Sequence, residues 1–128
     1  MTYEQMYRLA LSKINPMQSG EYFSAGSVSV VLEAANGKYY TGVNIDLACG
    51  LGFCAERSAA AAMIADGETV IRRVVCVFRD GSLWPPCGAC REFISQLSPE
   101  NKKTKFLTKL EGEEEKTLAD FLPDPWHD

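Results

Sequence analysis

The sequence predicts an α/β fold, a sandwich of helices packed on a mixed sheet. Three observations predict it. Strand-like and helix-like stretches alternate after an opening hairpin. Residues 70–79 contain VVCVF, the continuous apolar run expected of a central buried strand. The stretch AERSAAAAMIA after Cys54 is rich in small side chains, which let a helix lie close on a sheet.

The elements follow in order. Residues 2–14 read as a helix with Tyr3, Met6, Tyr7, Ala10 and Ile14 on one face, and Thr2 with Gln5 can form a capping box. Pro16 and Gly20 fall in the next loop. Residues 27–34 alternate as a strand, with Val28, Val30 and Leu32 on one face. Asn36-Gly37 is a hairpin signal, and residues 38–45 form the return strand. Residues 46–53 read as a loop, and 54–66 as a helix closed by Gly67. A further helix spans 88–97, with Cys90, Phe93, Ile94 and Leu97 on one face. KTKFLTKL is a strand, EGEEEK an acidic solvated turn, and TLADFL a short closing helix. Residues 1–128 are expected to be a single catalytic domain, with no repeats or low-complexity tract.

Composition narrows the function. Hydrophobic residues make up 46% of the 128, enough for a packed core without disulfide staples. The net charge of -4 disfavours nucleic-acid partners, which call for clustered Lys and Arg. No apolar run reaches the roughly 20 residues needed to span a bilayer, so no membrane partner is expected. The start, MTYEQMYRLALSKI, is amphipathic and carries acidic residues, unlike a secretory leader, and a cytoplasmic location is expected. Five cysteines are an odd count and do not read as a disulfide framework. The one histidine, His127, is expected to be an exposed tail residue, which argues against a histidine-dependent triad.

The cysteine pattern carries the chemistry. Cys87 and Cys90 form a C-x-x-C at a helix start, and Cys54 opens another helix. A thiol near free backbone N–H groups and a positive helix end is favoured as thiolate, the form a metal needs. Three such ligands suit zinc and leave its fourth position open, as catalytic sites require. Glu56, on the first turn of its helix, is placed to move protons at such a site. Taken alone, the C-x-x-C also fits a redox pair, and a single buried cysteine is usually a small core hydrophobe. Cys76 in the apolar strand is read as core, and Cys49 as a loop cysteine that does not ligate.

Cys54-Ala55-Glu56 with Pro86-Cys87-Gly88-Ala89-Cys90 resembles the signature of the zinc-dependent cytidine deaminases in its three-cysteine form. FSAGSVSVVL, GVNIDLA, CAERSA, PPCGACRE and LADFLP are similar to successive segments of the small free-standing members, over roughly residues 20–125. The resemblance implies a three-layer α/β/α sandwich around a mixed five-stranded sheet. It implies hydrolytic deamination of cytidine or deoxycytidine, a place in pyrimidine salvage, Zn2+ as cofactor and a homotetramer. Cys54, Cys87 and Cys90 would bind the zinc and Glu56 would shuttle protons. The backbone at Ala55 and Pro85 would hold the pyrimidine edge. Phe23 would lie against the base, and Asn44 with Asp46 would hold the ribose hydroxyls. Arg57, helped by Arg91, would offset the charge of three thiolates on one zinc.

Without the resemblance, Phe23 reads as a core aromatic, Asn44 and Asp46 as loop hydrogen-bonders, and Arg57 as a solvated helix residue. The chain also departs from the family pattern. Asp46 stands where a glutamate is usual, the loop from Asn44 to Cys54 is one residue shorter, and Gly20 stands where tyrosine is common. Trp84-Pro85, Glu92 and Trp126 resemble blasticidin-S deaminase-like relatives more closely. Another aminopyrimidine as substrate, or a zinc-stabilised binding domain without turnover, therefore stand as alternatives. Trp84 and Trp126 fit either a pocket lid or a subunit contact.

Overall fold

The structure, a computed structural model, describes residues 1–127, so the last residue of the expected domain, Asp128, lies outside it. Among the described residues it contains helices α1 (Tyr3–Lys13), α2 (Ala55–Ala65), α3 (Gly88–Leu97) and α4 (Leu118–Phe121). The strands are β1 (Met17–Ser19), β2 (Phe23–Ala34), β3 (Tyr39–Leu47), β4 (Ile71–Phe78), β5 (Lys105–Lys109) and β6 (Glu114–Thr117). A 3₁₀ turn, Pro99–Lys103, joins α3 to β5. No helix among the described residues is long and apolar enough to cross a membrane.

The strands form one mixed sheet in the order β3-β2-β4-β5-β6. Among the described residues only β4 and β5 pair in parallel; the other pairs are antiparallel. Strand β1 pairs with Phe23–Ala25 of β2, on the edge that β4 takes over from Val28 onward. The sheet thus has six strands, not the expected five. Two strands escaped the sequence reading. MQS in β1 is wholly exposed and too short for a period to show. The acidic stretch expected to be a solvated turn supplies β6, an edge strand whose Glu114 stays in water and whose Glu115 accepts from the Tyr3 hydroxyl while the backbone pairs with β5. Lys109 and Lys105 lie 3.8 and 3.5 Å from these carboxylates. Charge on an exposed edge also guards it against pairing with other chains.

Helix α1 covers one face of the sheet. Thr2 and Gln5 close the expected capping box. Tyr3, Met6 and Ala10 pack with Val31, Val75, Val77 and Leu107. On the other face, α2, α3 and α4 enclose Val30, Leu32, Met63, Val74, Ile94 and Phe106. The alternation of Val28, Val30 and Leu32 against Val31 thus sorts β2 between two cores, and the three-layer arrangement follows.

Two close approaches fix what surrounds the helix mouths. A Cβ on Gly42 of β3 would stand 2.4 Å from Ala59 N and 2.7 Å from Ala55 O, so α2 lies directly against the strand backbone. Asn101, fully buried, accepts from Ile71 N and donates to Thr69 O and Ile94 O, fastening α3 to the start of β4.

Candidate metal centre and cleft

Cys54 is the N-cap of α2 and Cys87 the N-cap of α3; neither side chain caps its helix. The preceding residues aim them. Phe53 exchanges two backbone bonds with Ile45, at 2.9 and 3.0 Å, which pins the loop after β3 back onto its own strand. Gly52 permits this, since a Cβ there would meet Ile45 O at 2.2 Å. On the other side, Trp84 N–H donates to Cys76 O at 3.0 Å, directing the chain off β4 into α3.

The three predicted ligands converge. The sulfur atoms of Cys54, Cys87 and Cys90 all lie within 4.8 Å of one another, with Cys54 and Cys87 3.3 Å apart. Cys90 is fully buried, while Cys87 is open to the cleft. Cys49 is exposed and stands outside the cluster. Arg57 Nη2 lies 3.9 Å from Cys54 Sγ, and its buried Nε–H finds no acceptor among the described residues.

The helix-mouth setting lowers only one thiol. At Cys87 burial acts upward, but the Cys90 N–H and the neighbouring thiols outweigh it and hold it below its ordinary value. Burial pushes Cys54 and Cys90 up, reinforced by Cys87 at the first and by the Glu56 charge at the second. Three thiols this close cannot all ionise without a cation, and a bound divalent ion reverses that balance. The donor set fits zinc: three soft sulfurs close enough together for one ion with Zn–S bonds of about 2.3 Å, with an arginine directed at one of them. Zinc is the cofactor of this site.

Glu56 is 5% exposed, on the wall of the same cleft. Burial raises its carboxyl above the ordinary range, against smaller opposing effects of backbone N–H and Arg57. The cleft encloses about 370 Å³. Asn44, Asp46, Trp84 and Pro85 line it, and Val28 and Cys76 also border it. Asn44 Oδ1 accepts from Val28 N at 2.8 Å and its Nδ2 donates to Asp46 Oδ2 at 3.0 Å. Ala55 lies in the cleft beside the cluster.

Phe23 does not join them. It lies beyond Asp46, in a separate shallow depression with Tyr22 and Leu47. The aromatics on the cleft are Phe53 and Trp84, the latter stacked on Phe78 at 4.3 Å and 7°. Phe53 was missed, although its place directly before Cys54 was a usable signal. Cys76, read as core, is buried but also borders the cleft. Arg91 turns away from the thiols: it donates to Pro86 O and Phe121 O. His127, expected to be exposed, is half-buried, with Nε2 3.2 Å from Ser95 Oγ. Trp126 is 83% exposed, held by its N–H to Glu92.

Residues 1–107 match the family profile described as the cytidine and deoxycytidylate deaminase zinc-binding region. The chain is 33% identical over 103 residues to the cytidine deaminase of Halalkalibacterium halodurans, spanning 79% of this chain and 77% of that one. It is also 33% identical over 117 residues to the cytidine deaminase of Sporosarcina psychrophila, spanning 90% and 85% of the two chains. The crystal structure of cytidine deaminase from Mycobacterium leprae superposes with a TM-score of 0.78 at 28% identity, covering 97% of this chain and 99% of that one.

Proposed function

The chain belongs to the zinc-binding family of cytidine and deoxycytidylate deaminases, and from that premise we propose that it converts cytidine or deoxycytidine with water to uridine or deoxyuridine and ammonia. The observation that carries this reading is the buried Glu56 carboxyl on one cleft wall with three convergent thiols.

Cys54, Cys87 and Cys90 hold the metal. Zinc held there would act as a Lewis acid that activates water for attack near neutral pH. Glu56 accepts the proton released as water attacks C4 of the ring and delivers it to N3. The remaining proton of that water, now on the C4 hydroxyl, passes through the same carboxyl to the amino group; the C4 carbonyl forms as the C4–N bond breaks and ammonia leaves. The backbone at Ala55 and Pro85 holds the pyrimidine edge. Asn44 keeps one amide N–H for a sugar oxygen, and Asp46 accepts from a sugar hydroxyl. Phe53 and Trp84 supply the apolar walls that the separate position of Phe23 leaves to them. Arg57 offsets the negative charge of the thiolates.

The reading takes residues 1–128 as one catalytic domain acting in pyrimidine salvage in the cytoplasm, where thiols stay reduced. It takes the working form as a homotetramer. The exposed Met17, Tyr22, Leu47 and Leu51 around the β1–β3 end and the loop beyond it support an association surface.

The test is ultraviolet-monitored conversion of cytidine by the zinc-loaded protein, with Glu56→Ala alongside. Conversion that falls about 10²- to 10⁴-fold in the variant, with zinc retained, is the expected result. Full activity in Glu56→Ala would remove the shuttle. No conversion by the wild type, with one zinc per chain, would overturn the nucleoside assignment and direct the search to other aminopyrimidines.

A further inference from the structure

We propose that Arg91 is a positioning residue for the metal centre: it sets the approach of Cys87 by gripping the carbonyl of Pro86. The proposal rests on the reading of Cys87 as a zinc ligand.

Arg91 lies one residue beyond Cys90 on α3, yet its side chain runs back along the helix instead of into the cluster. Nε donates to Pro86 O at 2.8 Å and Nη1 to Phe121 O at 3.0 Å. The guanidinium carbon sits 4.8 Å from the centre of the Phe121 ring. Phe121 is itself held edge-on to Phe106 of β5, at 5.6 Å and 89°. One planar group therefore ties the turn before the cluster to the last helix, and through it to the sheet.

The local sequence explains why an outside grip is needed. Pro85 and Pro86 have no N–H, so neither can anchor this turn by donating. The nearest backbone donor upstream is Trp84, bonded to Cys76 O. Downstream, helical bonding begins with Arg91 N to Cys87 O at 3.0 Å. The Pro86 carbonyl falls between these two anchors, on the peptide that leads directly into Cys87, and Arg91 supplies its donor. Restraining that peptide restrains the Cα–Cβ direction of Cys87, the thiol most open to the cleft. A lysine reaches one carbonyl but cannot hold two with a rigid fork.

The experiment compares zinc-loaded wild type, Arg91→Met and Arg91→Lys. It measures the rate of zinc transfer to a chromophoric chelator and the visible and thiolate charge-transfer bands of the cobalt(II)-substituted proteins. Outer-shell partners of metal ligands typically govern about 10- to 100-fold in metal affinity. Release from Arg91→Met should be about 10- to 100-fold faster, with Arg91→Lys between it and wild type, and the cobalt bands should shift in the same order. A general loss of stability would lower the melting temperature without moving those bands. Wild-type release rates and spectra in either variant, once folded, would overturn the proposal; if Arg91→Met fails to fold, Arg91→Lys decides. Cys87→Ser separates the two layers. If it keeps zinc like wild type, the ligand reading fails; if it loses zinc while both Arg91 variants match wild type, only the Arg91 proposal fails.

Discussion

The side-chain carbonyl of Asn44 accepts the backbone N–H of Val28 at 2.8 Å, and the same amide donates to Asp46. A residue facing the cleft thus also fastens β2 where its register with β3 shifts, between Ala25 and Ser29. The two roles expected for it, sugar ligand and loop hydrogen-bonder, are compatible in one side chain.

Asn44→Ala should therefore affect two quantities together. Loss of the Val28 bond should cost about 1–2 kcal/mol in chemical denaturation. Loss of a donor to the substrate should raise KM for cytidine about tenfold, equivalent to 1.4 kcal/mol. Asn44→Asp keeps an acceptor for Val28 but sets two carboxylates side by side. It should retain more stability than Asn44→Ala while binding cytidine no better.

Gly42 offers a test of the α2–β3 contact. With a Cβ facing Ala59 N at 2.4 Å, Gly42→Ala must push α2 away from the strand. Overpacking of this kind costs about 1–3 kcal/mol. Since α2 carries Cys54 and Glu56, the variant that remains folded should lose more activity than its melting temperature implies. Activity and thermal unfolding measured on the same sample check this.

Much of this arrangement is legible in the sequence, and the gaps have physical causes. The apolar face of α1 follows from period because it meets one core, and the Val28, Val30, Leu32 face of β2 because that face meets the other. The cysteine spacing carries the cluster because helix starts place thiols predictably. Strand β6 was not legible: a run of charged residues looks the same in a turn and on an exposed edge strand, and the bond from Tyr3 to Glu115 joins residues far apart in the chain. Phe23 pairs with Leu47 and not with Asp46, which turns it to the other face of the sheet, and a pairing register is not written in either strand alone. The direction of Arg91 depends on the carbonyl of Phe121, from the other end of α4, and no spacing rule relates the two.

Glu33 gives a pH test away from the cleft. Arg73 donates to it at 2.7 Å, and Tyr39 adds a bond at 2.8 Å. Arg73 holds the carboxyl below the ordinary range, burial opposes this, and Tyr39 assists. The folded value lies below the unfolded one, so the pair's contribution is complete above about pH 4.3 and is lost as pH falls through the folded value. Glu33→Gln should be about 1–2 kcal/mol less stable at pH 7, a gap that narrows in acid. Urea unfolding at pH 7, 5 and 3 checks the trend.

The cysteines divide into two groups. Cys90→Ser should abolish one-to-one zinc binding, measured by metal analysis after gel filtration, since its thiol is central to the cluster and fully buried. Cys49→Ser should keep one zinc per chain and wild-type turnover, because Cys49 is exposed and outside the cluster.

Three thiols converging from two helix mouths make the metal a partner in folding. The thiols belong to α2 and α3, which are separated in the chain by all of β4. An ion that binds the folded chain and not the unfolded one adds stability as the logarithm of its free concentration, about 1.4 kcal/mol for each tenfold above its dissociation constant. Free zinc in the medium therefore sets the melting temperature, and chelation should loosen α2 and α3 before it disturbs the α1 face. The same ion serves catalysis and clasps two segments far apart in the chain, so a zinc-poor environment would cost this protein stability as well as turnover.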